Sequence, residues 1–374
     1  MPQTRTSRKQ RMAHVVHIST VHSWNDIRVF YKQCCTLAEN GYHVTLIGTI
    51  DAGRTQHGVD IVPVRRSRNR LSRMVMGTLR ALDAAWRQRA DVYHLHAPEH
   101  IPLIPLLRVR GARVVFDAKE DLPDQVLDKE YLHPAARKSV SLFAKFLVWF
   151  SGRTCNHVLA ATPKIARRFP ENRTTILQNF PIVTESDTAV PYQERSLSVV
   201  YVGGMSELRG TRELVTAAEH LPDEWSLTVA GTASPELLDE LRKMPGWQRV
   251  EFRGQVSSEQ ARMLVARARI GVVNFLSTRA HVDAMPNKMF EYMAAGIPVV
   301  ASNFPLWHNI IERTGSGVCV DPADPAALAK AITTLIDAPS TAESMGKNGR
   351  RAVLEELNWN REKDRMLTVY RSLR

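Results

Sequence analysis

What constrains this chain most is a repeated rhythm of short apolar runs with helical stretches between them. The first series reads HVVHIS, HVTLIG, VDIVPV, DVYHLH, ARVVFDA, NHVLAA and TTILQN. A second series opens at LSVVYVGG and continues through WSLTVAG, VEFRG, IGVVNF, IPVVAS and GVCVD. Runs this short and this rich in Val and Ile predict strands. Segments such as DIRVFYKQCCTLAENG, stopped by Gly41, predict the helices between them. Strands alternating with helices build parallel sheets covered on both faces, so the expected class is α/β with two Rossmann-like domains. The polar, proline-bearing stretch NFPIVTESDTAVPYQERS, at about residues 180 to 196, separates the two series. The expected division is a basic tail over 1–12, a first domain over 13–185, a second over 186–357, and a closing helix over 358–374 that packs back on the first domain. Sheets of this kind bind ligands beyond the carboxyl ends of their strands, which predicts a site in a cleft between the domains.

Composition narrows the partners. The 374 residues are 44% hydrophobic, enough for two ordinary cores. Cys34, Cys35, Cys155 and Cys319 have neither zinc-site nor disulfide-framework spacing, which favours a reducing compartment. No stretch reads as a signal peptide or as the run of about 18 apolar residues that spans a bilayer, so a cytoplasmic location is expected. The net charge of +12 favours anionic partners. Part of it is concentrated between Arg65 and Arg89, on an expected helix with a Met/Leu/Trp face. No recognition motif or aromatic–basic platform accompanies the charge, so nucleic acid is not an expected partner. G-x-G-x-x-G with a downstream acid and G-x-x-x-x-G-K-[ST] are both absent, which gives no support to a nicotinamide enzyme or a P-loop ATPase.

The chemistry gathers in the second series. In DAMPNKMFEYMAAGIPVVAS, from Asp283, a helix is predicted from Pro286 to Ala295, with Pro286 in its first turn and Gly296 just past its end. Met289, Phe290 and Met293 supply a buried side, and Asn287 and Glu291 share a face. A helix N-terminus offers unpaired N–H groups and partial positive charge, a site for phosphate that Lys288 would reinforce. Glu291, one turn further in, is spaced to accept hydrogen bonds from ribose hydroxyls. A second anion site is expected at YVGGMSELRGTREL, where backbone can approach a ligand at Gly203 and Gly204, and Arg209 precedes a helix. The plainer alternative there is a glycine turn beside a surface arginine.

With these residues in view, the chain resembles glycosyltransferases of the GT-B fold, and more narrowly glycosyltransferase family 4, the retaining enzymes that use nucleotide sugars. MPNKMFEYMAAGIPVVAS, YVGG…LRG and GVCVDPADPAALAKAI carry the likeness, which extends over nearly the whole chain. The resemblance implies that Glu291 is the second acid of an E-x7-E pair and that Asp283 stands for the first, one methylene shorter, beside the donor sugar. It further implies that Arg209 holds the diphosphate and that the loop after VEF, with Arg253, Gln255 and Val256, holds the base. The expected ligand is a nucleotide-sugar co-substrate, with no metal and no other cofactor.

The resemblance puts the acceptor on the first domain, at HSWNDIRVF, HLHAPEH and DAKEDLP. The catalytic candidates are Asp283, His96, Lys119 and Glu120; Asp26, Arg28, Glu99 and Asp121 are candidates for the acceptor side. For any one of these a helix-capping role is the alternative, and for Asp26 the two stand level. Relatives often read H-D-P-E and D-x-H-E-D, whereas Ala97 and Lys119 stand at the Asp and His positions here. The expected function is transfer of a hexosyl unit from a UDP- or GDP-sugar to a hydroxyl of a glycan, lipid-linked sugar or small molecule. The alternative is a non-catalytic GT-B paralogue that binds nucleotide or serves as a partner subunit. AARKSVSLFAKFLVWFSGR reads either as a core helix or as an interfacial one, and the second reading adds an anionic membrane surface as a partner.

Overall fold

The computed structural model describes residues 12–65, 69, 72–127, 133–183 and 190–373. The expected basic tail, apart from Met12, lies outside the described residues, as do Arg66, Arg68 and Arg70. By packing, the chain divides into two units. One holds the described residues through Gln178 together with those from Glu362 on; the other is Asn179–Arg361. The second unit therefore starts earlier than the expected 186, because Phe180 and Val183 are buried in its core. The Trp359 amide also donates to the Pro181 carbonyl at 2.8 Å, which keeps the start of the closing helix with that unit until Glu362.

In the first unit, β1 (His14–Ser23), β2 (His43–Thr49), β3 (Arg54–Gln56), β4 (Val59–Pro63), β5 (Val92–Leu95), β6 (Arg113–Ala118), β7 (His157–Ala160) and β8 (Thr174–Ile176) form one sheet. Its order is β3-β4-β2-β1-β5-β6-β7-β8. Every pairing is parallel except β3 with β4. That short edge strand was not expected, since Arg54, Thr55 and Gln56 carry no apolar signal. A tight turn makes it: His57 and Gly58 both take positive φ, 50° and 74°, as two-residue hairpins require. Along β1 the side chains alternate. Val16 and Ile18 join Tyr93, Leu95, Val114, Phe116 and Val158 in one apolar core, which the helix α1 (Pro134–Thr154) helps to cover through Val148. His17, from β1, and His94 and Asp117, from β5 and β6, belong to the opposite face. There Arg28 and Gln33 of the helical segment Ile27–Cys34 and Tyr370 of the closing helix Trp359–Ser372 meet them.

In the second unit, β9 (Ser198–Val202), β10 (Ser226–Ala230), β11 (Val250–Gly254), β12 (Ile270–Val273), β13 (Val299–Ser302) and β14 (Gly317–Val320) pair in the order β11-β10-β9-β12-β13-β14, all parallel. Period two again sorts the side chains. Val199, Tyr201, Ile270, Val272 and Val300 face the core that α2 (Thr211–Ala218) closes with Leu214 and Val215. Val200, Val273, Val299 and Ala301 face the core that α3 (Asn287–Ala295) and α4 (Pro305–Thr314) close with Met289, Phe290 and Trp307. Gly271 is needed on that side, because a Cβ there would stand 2.4 Å from the Tyr292 ring. Tyr292 uses the space to accept a hydrogen bond from the Val202 amide at 3.0 Å, which ties α3 to the end of β9.

In each sheet the strand order reverses at one place, between β1 and β5 and between β9 and β12. Those reversals are where open α/β sheets bind ligands, beyond the strand ends. No helix among the described residues is long and apolar enough to cross a membrane.

Candidate active site

At the β9/β12 reversal the chain turns through Gly203 (φ 142°) and Gly204. Gly231, at the end of β10, lies against that turn: a Cβ on it would stand 1.9 Å from the Gly203 carbonyl. Gly210, in the left-handed region at 59°, starts α2 and packs on Asn274, whose Nδ2 donates to the Gly210 carbonyl at 3.3 Å and to that of Pro322 at 3.2 Å. Backbone approaches backbone throughout, which is how a sheet end is opened to a ligand without side chains in the way.

Lys288 enters this turn from α3. Its Nζ stands 2.8 Å from where a Cβ on Gly203 would be and 3.8 Å from the centre of the Tyr201 ring, with Phe275 beyond at 5.2 Å. The amine is buried and has no hydrogen-bond partner among the described residues. Burial first, and then the neighbouring Arg209, push it down to about 7 against the pull of Glu291. A cation held so is stabilised by the aromatic face but has no anion bonded to it among the described residues. Arg209 donates from Nη1 to the Gly204 carbonyl at 2.9 Å, beside the same turn. Helix α3 starts with Pro286 as its cap, not inside its first turn, and no side chain caps it. Its first N–H groups are therefore claimed by no side-chain cap, although the Met289 amide donates to the Pro286 carbonyl at 3.1 Å.

The remaining donor-side candidates distribute as follows. Glu291 is exposed on α3, three residues on from the buried Lys288, whose amine feels its charge. Asn287 is exposed and accepts from Asn179 Nδ2 at 2.8 Å. Asp283 is half-buried in the turn before α3, which is held by Trp307 donating from Nε1 to the Ala284 carbonyl at 2.7 Å. Gln255 and Val256 follow β11, whose last residue accepts from the Gly231 amide at 2.7 Å, so their loop adjoins the glycine turn. Arg253 pairs with Glu251 at 2.6 Å on the surface.

At the β1/β5 reversal the first unit holds a different kind of assembly. Asp117, at the end of β6, is buried and accepts from Arg28 Nη2 at 2.7 Å, Arg28 Nε at 3.1 Å and Gln33 Nε2 at 3.1 Å. Burial pushes this carboxyl up, but Arg28 and the hydrogen bond from His96 outweigh it and hold the group well below the ordinary carboxylate range. Burial keeps His96, His17 and His94 neutral at ordinary pH, well below the usual imidazole value. The charges then dictate the tautomers. His96 Nδ1 lies 3.1 Å from the Asp117 carboxylate, which can only accept, so the proton sits there. His96 Nε2 must then accept from His17 Nδ1 at 2.9 Å, leaving His17 Nε2 as a buried lone pair without a partner among the described residues. His94 Nδ1 meets Tyr370 Oη at 2.7 Å, and its Nε2 is also unpartnered. Ring nitrogens of the three imidazoles lie within 4.8 Å of one another. Both nitrogens of His96 are already engaged, so only two are open, fewer than the three protein ligands of a catalytic zinc site.

Arg28, expected on the acceptor side, is thus committed to Asp117 and, through Nη1, to the Leu177 carbonyl at 3.0 Å. Asp26 caps the helix after β1, accepting from the Val29 amide at 2.9 Å, and lies 3.9 Å from Lys119 Nζ. Asp121 is likewise committed, to Arg168 Nε at 2.7 Å, and Glu120 is exposed. Glu99 is half-buried, with its carbonyl accepting from Thr78. Sequence reasoning missed Asp117, His17, His94, Tyr201 and Phe275. Asp117 and His17 did leave a trace, a polar side chain inside an otherwise apolar run.

Comparison with known proteins fits this geometry. A sucrose-phosphate synthase from Thermosynechococcus elongatus superposes with a TM-score of 0.74 at 20% identity, over 96% of this chain and 99% of that one. Anabaena Alr3699/HepE, solved with UDP-glucose, superposes at 0.73 and 13% identity, over 96% and 99%. The fold is GT-B. Residues 196–338, which include both the glycine turn and α3, match the family model for glycosyl transferases group 1. A glycogen synthase of Mycobacterium tuberculosis is 25% identical over 166 residues, 43% of this chain. That match spans 39% of the relative's own length. The second unit thus contains a stretch that matches a glycosyltransferase family model, in a chain with the GT-B fold.

Proposed function

We propose that this protein is a retaining glycosyltransferase of the family 4 type. It moves a hexosyl unit from a UDP- or GDP-linked sugar to a hydroxyl acceptor, in the building of a polysaccharide, glycolipid or other cell-surface glycan. One observation carries the reading: the buried, unpartnered Lys288 amine against Gly203, at the uncapped start of α3. A buried cation is costly until an anion joins it, and a diphosphate fits a glycine turn beside a helix N-terminus. The group 1 match over 196–338 and the UDP-glucose complex of HepE support the same ligand class.

In this reading Arg209 exchanges the Gly204 carbonyl for the diphosphate, Glu291 accepts from the ribose, and Arg253, Gln255 and Val256 border the base. Asp283 and Asn287 stand toward the donor sugar. The bond from the anomeric carbon to the diphosphate oxygen breaks as the acceptor oxygen joins the same face, and the acceptor's proton passes to the departing phosphate. Helix N–H groups and Lys288 balance the growing charge, so the reading calls for no metal. The acceptor is a lipid-linked sugar, glycan or small molecule at the cytoplasmic face of a membrane, near Lys119 and Glu120.

The test is a panel of nucleotide sugars followed by mass spectrometry, with melting curves in UDP and GDP. A rise in melting temperature that Glu291→Ala abolishes is expected. If several nucleoside diphosphates leave the curve unmoved, the donor site is lost as an idea. A second reading, a non-catalytic nucleotide-binding subunit, is favoured by His96, which is fully buried with both nitrogens engaged. Nucleotide binding with neither sugar release nor transfer across the panel would select it.

A further inference from the structure

Helix α1 has its faces reversed for a core helix. Ser141, Ala144, Val148, Ser151 and Gly152, at helical spacing, are buried. Ser141 donates to the Pro123 carbonyl at 3.1 Å, and a Cβ on Gly152 would meet Phe169 and Pro170 at 3.0 and 3.1 Å. The helix is seated on its unit by its small residues. Its bulk points outward: Leu142, Phe143, Phe146 and Trp149 are 68%, 57%, 51% and 51% exposed. The rings of Phe143, Phe146 and Trp149 form a near-parallel row, with centroids 6.4 and 5.8 Å apart. A water-facing row of this size marks an interaction face.

The charges say what covers it. Residues 134–154 contain Arg137, Lys138, Lys145 and Arg153 and no Asp or Glu. Lys138, Lys145 and Arg153 are exposed, and the Arg153 guanidinium lies 5.0 Å from the Trp149 ring centre. A second copy would bring one positive stripe against another. Anionic headgroups complement the stripe, while the aromatic row suits the boundary between headgroup and acyl chain.

We propose that α1 docks the protein on an anionic bilayer, with the row from Leu142 to Trp149 in the interface and Lys138, Lys145 and Arg153 among the headgroups. Docking stands on the helix alone; only its consequence, an acceptor carried in that bilayer, rests on the proposed function.

The test is flotation of the full chain with phosphatidylcholine vesicles containing one quarter phosphatidylglycerol, against phosphatidylcholine alone. Flotation with the anionic vesicles only, weakened by salt, is expected. Phe143→Ser/Phe146→Ser/Trp149→Ser should lower the bound fraction by about tenfold or more. Lys138→Ala/Lys145→Ala should lower it by about fivefold per charge. The UDP melting shift should be unchanged in both variants, since all the substituted residues belong to the first unit and the proposed donor site to the second; its absence in all three proteins would count against the donor site and not against docking. No flotation with anionic vesicles, or a triple variant that floats as well as the parent, would overturn docking. So would a triple variant that turns a dimer into a monomer in light scattering while vesicles capture neither form.

Discussion

The two strand-order reversals occupy the same topological place and are built to opposite electrostatic rules. At β1/β5 a buried carboxylate is answered by Arg28, Gln33 and His96, and the charge is closed inside the unit. At β9/β12 a buried amine is left over an aromatic ring, beside a glycine turn and a helix without a side-chain cap, with no hydrogen-bond partner among the described residues. A closed network stabilises its own unit, and an open one sets aside stability for whatever ligand completes it. Removal of either cation should therefore move stability in opposite directions.

The largest effect is expected at the closed site. Arg28→Ala leaves Asp117 buried and uncompensated, which should cost about 3–5 kcal/mol in denaturant unfolding. An unchanged midpoint would mean that water reaches Asp117 and the network is not closed. At the open site, Lys288→Met should leave the ligand-free protein as stable or more stable at neutral pH. Its affinity for UDP or GDP by calorimetry should fall about 10- to 100-fold, as for a lost hydrogen bond to a charged group. Loss of stability without loss of affinity would reverse the comparison.

pH sharpens the same contrast. Lys288 sits at about 7 when folded, well below an unfolded lysine. Between those values the unfolded chain binds more protons, so this group makes stability rise with pH from about 7 toward 10. Diphosphate prefers the protonated amine, so affinity should fall by up to about tenfold per pH unit above 7. Both trends should vanish in Lys288→Met. Asp117 gives a slope of the same sign in a lower window, but as a gain and not a cost: its lowered carboxyl contributes stability at neutral pH that is lost as pH falls below the ordinary carboxylate range. The smallest effect is expected on the surface, where Arg253→Ala should change stability by no more than about 0.5 kcal/mol, because exposed pairs such as Arg253–Glu251 contribute little. A larger loss would mean the base-side loop is braced by that pair.

Much of this was legible in the residues. The apolar runs named every parallel strand among the described residues, because strands inside or beside a covered sheet are rich in Val and Ile. β3 escaped, because a strand made by its turn and exposed at the edge leaves none. Lys288 and the glycine turn were legible because a helix start and a Gly-Gly pair have local signatures. What could not be read was that Lys288 is buried while Glu291, three residues on, is exposed: that depends on Tyr201, brought in from β9, and on Phe275, from the segment after β12. Arg28 and Asp121 looked like acceptor-side charges for a similar reason. Their partners, Asp117 and Arg168, are far along the chain, and only folding shows that the charges are already used.

The return of the chain to its first unit has a practical side. Tyr370 sits against His94, and Glu362 accepts from the Gln178 amide at 2.8 Å, so the last helix is a structural part of the module that contains the first residues. A gene cut after Gln178 would therefore encode an unfinished module, with His94 stripped of its phenol and the Gln178 amide of its acceptor. To make that half by itself, the segment from Glu362 would have to be spliced on through a linker or added as a separate peptide.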